Sequence, residues 1–182
     1  NVYSNEYGYC IETKEIDEKT NEIPTIESLI KTMDLSNTIV TWDALNTQTK
    51  NVSAVIDSHG DYIIPIKGNQ GTFYKDLIDY FDEKRCEQIK AGNLSSQYLL
   101  YSEKSHSSFI TYECFQTSDI NWYEKKENWS GLQTIGLIKK TITKKILTTE
   151  ICKNNKKKKI RLTPYFFFGS IIKHLLGSTP SE

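Results

Sequence analysis

The stretch Thr38-Ile39-Val40-Thr41-Trp42-Asp43 decides the interpretation of the first half of the chain, because its β-branched run is typical of a short buried strand. A second strand is predicted over Asp61 to Lys67, which is rich in isoleucine, and a helix over Thr47 to Ser58 that closes at His59-Gly60 lies between the two strands. A strand, a helix and a strand in this order predict a parallel βαβ unit. Asp43 and Lys67 would then lie at the same edge of the sheet, where parallel strands end.

The alternation of strands and helices extends to both sides of this unit. Tyr7 to Ile16 is a predicted strand, and Pro24 to Asp34 and Thr72 to Phe81 are predicted helices. We expect the three strands to form one sheet, so the fold class of this part is α/β.

The pattern changes near Ala91. Period-2 or β-branched stretches over Ser96 to Tyr101, Phe109 to Phe115 and Gly136 to Thr149 predict an antiparallel β region. Beyond Ile151 the sequence contains a run of Lys and Asn over Lys153 to Lys159 and a run of three Phe at 166–168. The chain therefore divides into an α/β segment at 1–90, a β-rich region at 91–150 and a weakly constrained tail at 151–182.

The composition excludes some functional classes. Lys and Arg number 23 and Asp and Glu number 23, so the net charge of zero does not by itself indicate a nucleic-acid partner. No apolar run is long enough to span a membrane, and the N-terminus lacks the features of a signal peptide and starts without Met, which suggests a chain entered partway through a gene. Four scattered cysteines, at 10, 86, 114 and 152, predict reduced cytoplasmic thiols rather than a zinc site or a disulfide framework.

Asp43 and the turn after Lys67 are the candidate site residues. A carboxylate at the end of a strand can hold Mg²⁺, whereas the alternative interpretation is a helix-capping or loop aspartate. Lys67 could meet a phosphate, with Gly68 allowing backbone approach, although the phosphate-loop motif is absent and a plain turn is the alternative.

Other polar and aromatic residues indicate less. His106 has no triad partners in the sequence and is interpreted as a surface histidine. The tryptophans at 42, 122 and 129 are expected to pack in the core. The lysine run over Lys153 to Lys159 is interpreted as a solvated segment that could contact phosphates non-specifically.

Several blocks in order resemble the H repeat-associated transposases, an insertion-sequence family whose members use an Asp, Asp, Glu triad. The blocks cover roughly residues 14 to 149 and comprise Lys14 to Pro24, Ile39-Val40-Thr41-Trp42-Asp43-Ala44-Leu45, Gly60 to Gln70, Ser118-Asp119-Ile120-Asn121-Trp122 and Trp129 to Gly136.

This resemblance implies an RNase H-like core, partial in this chain, interrupted by a β-rich insertion. It implies that three carboxylates hold two Mg²⁺ ions for DNA cleavage and strand transfer at the element ends. Asp43 matches the second Asp of the triad and is thus the implied catalytic and metal-binding residue. Lys67, Asn69 and Gln70 match a block at the rim of the site, which implies a DNA-contacting or structural role. A homo-oligomer is implied for full-length members of the family.

The sequence also departs from the family pattern. The first Asp belongs to a block upstream of this chain, no block after Ile151 resembles the one that carries the Glu, and His106-Ser107-Ser108 stands where the family has His-Gly-Arg. We therefore expect a truncated transposase that is inactive alone. The alternatives are a DNA-binding or interaction module without catalysis, and an unrelated phosphate-binding α/β protein.

Overall fold

The computed structural model describes residues 2–4, 8, 10–12, 22–92, 96–105, 108–145, 157–161 and 165–169. Its helices are α1 (Glu22–Ile30), α2 (Thr49–Asp57), α3 (Gly71–Tyr80) and α4 (Glu83–Lys90). Its strands are β1 (Val2–Tyr3), β2 (Cys10–Glu12), β3 (Ile39–Val40), β4 (Asp61–Ile66), β5 (Ser96–Ser105), β6 (Ser108–Thr117), β7 (Thr134–Lys145), β8 (Lys157–Arg161) and β9 (Tyr165–Gly169).

The predicted βαβ unit is confirmed. β3 pairs with β4 in parallel, with Ile39 opposite Asp61 and Val40 opposite Tyr62, and α2 forms the connection. Helix α2 ends in a motif in which the Gly60 N–H donates to the Val55 carbonyl at 2.9 Å while His59 adopts φ 64°. A side chain at Gly60 would meet Leu35, because a Cβ there would lie 2.7 Å from the Leu35 Cβ. The absence of a side chain at Gly60 thus allows this turn to pack against Leu35.

The remaining described pairs of strands are antiparallel, as predicted for the segment after Ala91. The seven-stranded sheet has the order β3-β4-β9-β7-β6-β5, with β8 on β7. β5 and β6 form a hairpin in which Ser96 lies opposite Thr117 and Ser105 opposite Ser108. The last four residues of the predicted strand Gly136 to Thr149 lie outside the described residues. The fold is therefore mixed α/β, with one parallel pair among the described strands.

Strand β9 joins the two halves of the sheet. It pairs with β4 on one side and with β7 on the other, and Phe166 lies opposite both Ile66 and Leu137. The Phe166 side chain is 2% exposed and contacts the ring of Tyr74 edge-on at 5.5 Å. The sheet thus combines strands from all three segments predicted from the sequence, and the division of the chain at 90 and 150 stays a prediction.

The prediction for Tyr7 to Ile16 is wrong in the described part. Cys10–Glu12 pairs with Val2–Tyr3 in a separate two-stranded sheet, not with β3 or β4. All three residues of β2 are exposed, so the alternation of side chains there marks no buried face. Residues 7, 9 and 13–16 lie outside the described residues.

Helix α4 was not predicted from the sequence. Its residues are mostly charged, and it buries two side chains, Cys86 and Ile89. The helix begins at Asp82, whose carboxylate accepts the Arg85 N–H at 2.6 Å. An i, i+3 pair of apolar residues is too short a pattern to predict a helix.

The loop between β6 and β7 packs across the helices. The Tyr123 ring stacks on Phe73 of α3 with centroids 4.3 Å apart, and Trp122 stacks on Tyr80 at 4.6 Å. The buried Tyr62 hydroxyl donates to the Ser130 carbonyl at 2.9 Å. The predicted packing of the three tryptophans is confirmed, because Trp129 is buried while Trp42 and Trp122 are partly buried against the core.

Replacement of Phe166 by alanine tests the placement of β9. Phe166→Ala should lower the free energy of unfolding by about 3–5 kcal/mol, because it empties a buried aromatic position between β4 and β7. Phe109→Ala is the matched control, since Phe109 is 56% exposed, and it should change stability by less than about 1 kcal/mol. Urea denaturation measures both variants, and equal effects would show that β9 is not part of the core.

Candidate functional site

Asp43 and Lys67 share one rim of the sheet, as the parallel topology predicts. The Lys67 Nζ lies 3.6 Å from the Asp43 Oδ2, and their side chains are 54% and 68% exposed. At this exposure an ion pair contributes little to stability. Its effect is to place a cation and a carboxylate side by side where a solute can reach both.

The backbone fixes the Asp43 carboxylate from the other side. Asp43 precedes the short 3-10 turn Ala44–Asn46, and its Oδ1 accepts the Leu45 N–H at 3.0 Å. This hydrogen bond, and then the nearby Lys67 ammonium, hold the pKa of the Asp43 carboxyl below its usual value. Asp43 therefore caps the turn Ala44–Asn46, which agrees with the alternative interpretation of this residue as a capping aspartate.

Asn69 and Gln70 donate their amide hydrogens to the loop that follows Asp43. The Asn69 Nδ2 donates to the Ala44 carbonyl at 2.9 Å, and the Gln70 Nε2 donates to the carbonyls of Thr47 at 2.7 Å and Ala44 at 3.3 Å. Of the two roles implied for these residues, the geometry favours the structural one. Both amides join the turn after β4 to the loop after β3.

Two buried residues that were not predicted from the sequence also hold the loop that follows Asp43. The fully buried Asn51 of α2 donates its Nδ2 to the Asn46 carbonyl at 2.8 Å, and the Thr47 hydroxyl donates to the Pro65 carbonyl at 3.0 Å. Asn51 lies one turn before Val55 on the buried face of α2. A polar residue at an apolar position of the helical pattern was the signal that could have revealed it.

The described residues do not fit the two-ion magnesium site implied by the resemblance. No group of three His, Cys, Asp or Glu side chains converges among the residues that the structure describes. Asp43 offers one carboxylate, with one oxygen engaged by the Leu45 N–H and the other facing Lys67. A two-metal site needs several carboxylates around both ions, so this rim alone does not supply one.

Neighbouring carboxylates lie far from Asp43. Asp61 begins β4 and Lys67 follows its last residue, so the length of the strand, about 20 Å, separates them. Asp57 ends α2, four residues before β4 begins, on the side from which the strand starts. The rim therefore combines one carboxylate with one ammonium, and neither Asp57 nor Asp61 adds a second carboxylate to it.

Comparisons with known proteins show what the chain is similar to. It is 26% identical over 137 residues to the "Uncharacterized protein in dhlA 3'region" of Xanthobacter autotrophicus, which is 75% of this chain and 44% of that protein. It is 29% identical over 103 residues to the "Putative transposase YncI" of Escherichia coli O157:H7, which is 57% of this chain and 26% of that protein. It is 30% identical over 105 residues to the "H repeat-associated putative transposase YhhI" of Escherichia coli strain K12, which is 58% of this chain and 26% of that protein.

The chain is related to bacterial proteins named transposases. The predicted resemblance is thereby confirmed, and the aligned part spans less than half the length of these three relatives. No family model matches the chain, and no solved structure matches it significantly. Within the described part of the chain, no helix is both long enough and apolar enough to cross a membrane.

Substitution of Lys67 tests the electrostatics of the rim. Lys67→Met should raise the pKa of the Asp43 carboxyl, yet leave it below the usual 3.8, because the larger cause, the Leu45 N–H, remains. The depressed pKa favours folding above the unfolded value and this contribution is lost as the pH falls through the folded value, so any effect on stability appears only in acid. Carbon-13 NMR titration of the aspartates measures this, with Lys75→Met as a control. An unchanged Asp43 pKa in Lys67→Met would contradict the ion pair.

Substitution of Gln70 tests the anchoring of the Asp43 loop. Gln70→Met keeps the length of the side chain but removes two hydrogen bonds to the loop, so the Leu45 amide should exchange with solvent roughly ten- to thirtyfold faster. Hydrogen exchange followed by NMR measures the rate, and Asp43→Ala gives the value for complete loss of the cap. The exposed Gln97 on β5 provides a matched control, Gln97→Met. Unaltered protection of Leu45 in Gln70→Met would mean that Gln70 does not hold the loop.

Proposed function

We propose that this span is part of an RNase H-like core of an Asp-Asp-Glu transposase, in which Asp43 supplies one carboxylate and Lys67 contacts the phosphate of a DNA strand. The observation that carries the proposal is the juxtaposition of Asp43 and Lys67 at the ends of neighbouring parallel strands, 3.6 Å apart. The named transposases among the relatives support DNA as the partner.

The chemistry of phosphodiester cleavage assigns different tasks to the two side chains. Lys67 supplies a positive charge for a phosphate oxygen, and its exposure leaves it accessible to a strand of DNA. Asp43 supplies a negative charge, held in place by the Leu45 N–H, of the kind that divalent metal ions require. Mg²⁺ is thus the proposed cofactor of the family site, and the carboxylates that would complete it are not among the residues converging on this rim.

The proposal also concerns the catalytic activity of this chain. We infer that the 182-residue chain does not cut DNA, because one carboxylate neither fixes two ions nor neutralises them. For the longer transposases we propose three further properties. They recognise the ends of an insertion element, assemble into homo-oligomers and are located in the cytoplasm.

A second candidate function is a DNA-binding module that retains the fold without catalysis. The specific observation in its favour is that Asp43 is engaged by Leu45 and Lys67, while the described residues gather no group of three possible metal ligands. Binding without cleavage distinguishes this candidate from an active enzyme.

An assay of strand cleavage tests the proposal. The purified chain should produce no nicks and no strand transfer with Mg²⁺ or Mn²⁺ on a duplex that carries the DNA flanking its coding sequence, because the rim lacks the carboxylates for two ions. Denaturing gel electrophoresis of end-labelled strands measures the products.

The matched control is Asp43→Ala. Metal-dependent nicking by the parent chain that disappears in Asp43→Ala would contradict the inactivity and would show that other carboxylates complete the site. If a longer product of the same locus nicks DNA and its Asp43→Asn variant does not, the role of Asp43 is supported, whereas equal nicking by both would exclude that role.

A further inference from the structure

The positive charges of this neutral chain are concentrated in two paired strands. β7 carries four lysines and no acidic residue in the sequence TIGLIKKTITKK, and β8 carries four basic residues and no acidic residue in KKKIR. The antiparallel register places Lys144 opposite Lys158 and Lys145 opposite Lys157. We call residues 141–145 of β7 together with residues 157–161 of β8 the basic ribbon.

The lysines nearer the core are already used by the fold. The Lys139 Nζ lies 3.2 Å from the Cys86 Sγ and 5.1 Å from the centroid of the Phe115 ring, and the Lys140 Nζ lies 5.3 Å from the Tyr112 ring. Glu113, opposite Lys139, supplies a carboxylate there. No acidic residue occupies the corresponding positions of β6 next to the ribbon, residues 108–111.

Like charges that face each other directly across a strand pair destabilise a sheet. Among the residues that lie in register with the ribbon on β6 and β5, the first carboxylate is that of Glu103 on β5. Strand β5 lies three strands from β8, a distance of about 14 Å. Screening at physiological salt removes most interactions between exposed charges beyond about 8 Å. The described strands β6 and β8 therefore place no carboxylate-bearing residue opposite residues 141–145 of β7, and an external anion would relieve the repulsion between the paired lysines.

From this register we propose that the basic ribbon binds the phosphate backbone of duplex DNA. Alternate residues of a strand lie on one face, which puts Lys157, Lys159 and Arg161 on the same face of β8 at intervals of about 6.8 Å.

Protection of the sheet edge against pairing with other chains explains fewer of these basic residues than DNA binding does. Lysines on an edge strand prevent pairing with other chains, and β8 pairs with β7 alone among the described strands. Lys144 and Lys145 lie on β7, which is not an edge, so protection of an edge does not explain why they face Lys158 and Lys157. The choice of DNA over other polyanions rests on the proposed function.

Fluorescence anisotropy of a labelled 20-base-pair duplex at several salt concentrations tests the ribbon. The triple variant Lys157→Gln, Lys159→Gln, Arg161→Gln removes three charges from β8, and the matched variant Lys75→Gln, Lys84→Gln, Lys125→Gln removes three from outside β7 and β8. Each phosphate contact contributes about 0.9 to the slope of log affinity against log salt. The ribbon variant should therefore lose about 2.7 of the slope of the parent, and the matched variant less than about 0.9.

The outcomes separate the ribbon from the proposed function. If the parent binds DNA and the ribbon variant keeps the full slope, or the matched variant loses as much, the ribbon is not the binding surface although the proposed function stands. If the parent binds no DNA at low salt, both proposals fail. Competition with single-stranded RNA and with vesicles of phosphatidylserine and phosphatidylcholine tests the partner, and a ribbon-dependent preference for either over duplex DNA would overturn the assignment.

Thermal unfolding of the ribbon variant keeps the test independent of folding. Removal of like charges should leave the melting temperature unchanged or raise it, because the cross-strand repulsion is relieved. A fall in the melting temperature beyond that of the matched variant would show that the basic side chains stabilise the fold, which contradicts the argument from repulsion.

Discussion

Two residue pairs, Ile39 with Asp61 and Val40 with Tyr62, hold β3 against β4, and the candidate site depends on this short parallel contact. Asp43 lies three residues beyond the second pair, so strand pairing alone does not determine its position. The amides of Asn51, Asn69 and Gln70 supply the missing constraint by donating to loop carbonyls at 2.7–3.3 Å. Side-chain hydrogen bonds thus continue, beyond the end of the strand, the alignment that the sheet begins.

Local patterns predicted the βαβ unit, and topology then predicted the rim. The unit lies within 29 residues, numbers 38–66, and its signals are the β-branched residues of β3, the apolar face of α2 and the isoleucines of β4. The ends of parallel strands lie at the same edge of a sheet, so no further signal was needed to predict the rim. The position of β9 could not be predicted in this way. The run of phenylalanines indicates a strand, but its partners β4 and β7 are about 100 and 30 residues away in sequence, and pairing at such range leaves no local signal. Helix α4 was missed for a different reason, because it buries only Cys86 and Ile89.

A zero net charge concealed an uneven distribution of charge. Composition indicated no polyanionic partner, whereas the register of β7 and β8 brings together lysines that the sequence separates by a dozen residues. The sequence alone gave the lysine run but not the strand that it would face, since strand pairing is a property of the folded chain. Lys139, by contrast, contacts Cys86 and Phe115 near the core, so part of the positive charge of β7 is used within the fold.

The core and the candidate site are physically separable. The fully buried residues Tyr62, Phe115 and Leu137 lie in the interior, whereas the Asp43 and Lys67 side chains are more than half exposed and form an ion pair of small energetic weight. The residues that are buried at the rim, Thr47 and Asn51, bind backbone groups rather than the carboxylate itself. Because stability resides in the core and in the loop anchors, the fold does not depend on the exposed ion pair between Asp43 and Lys67.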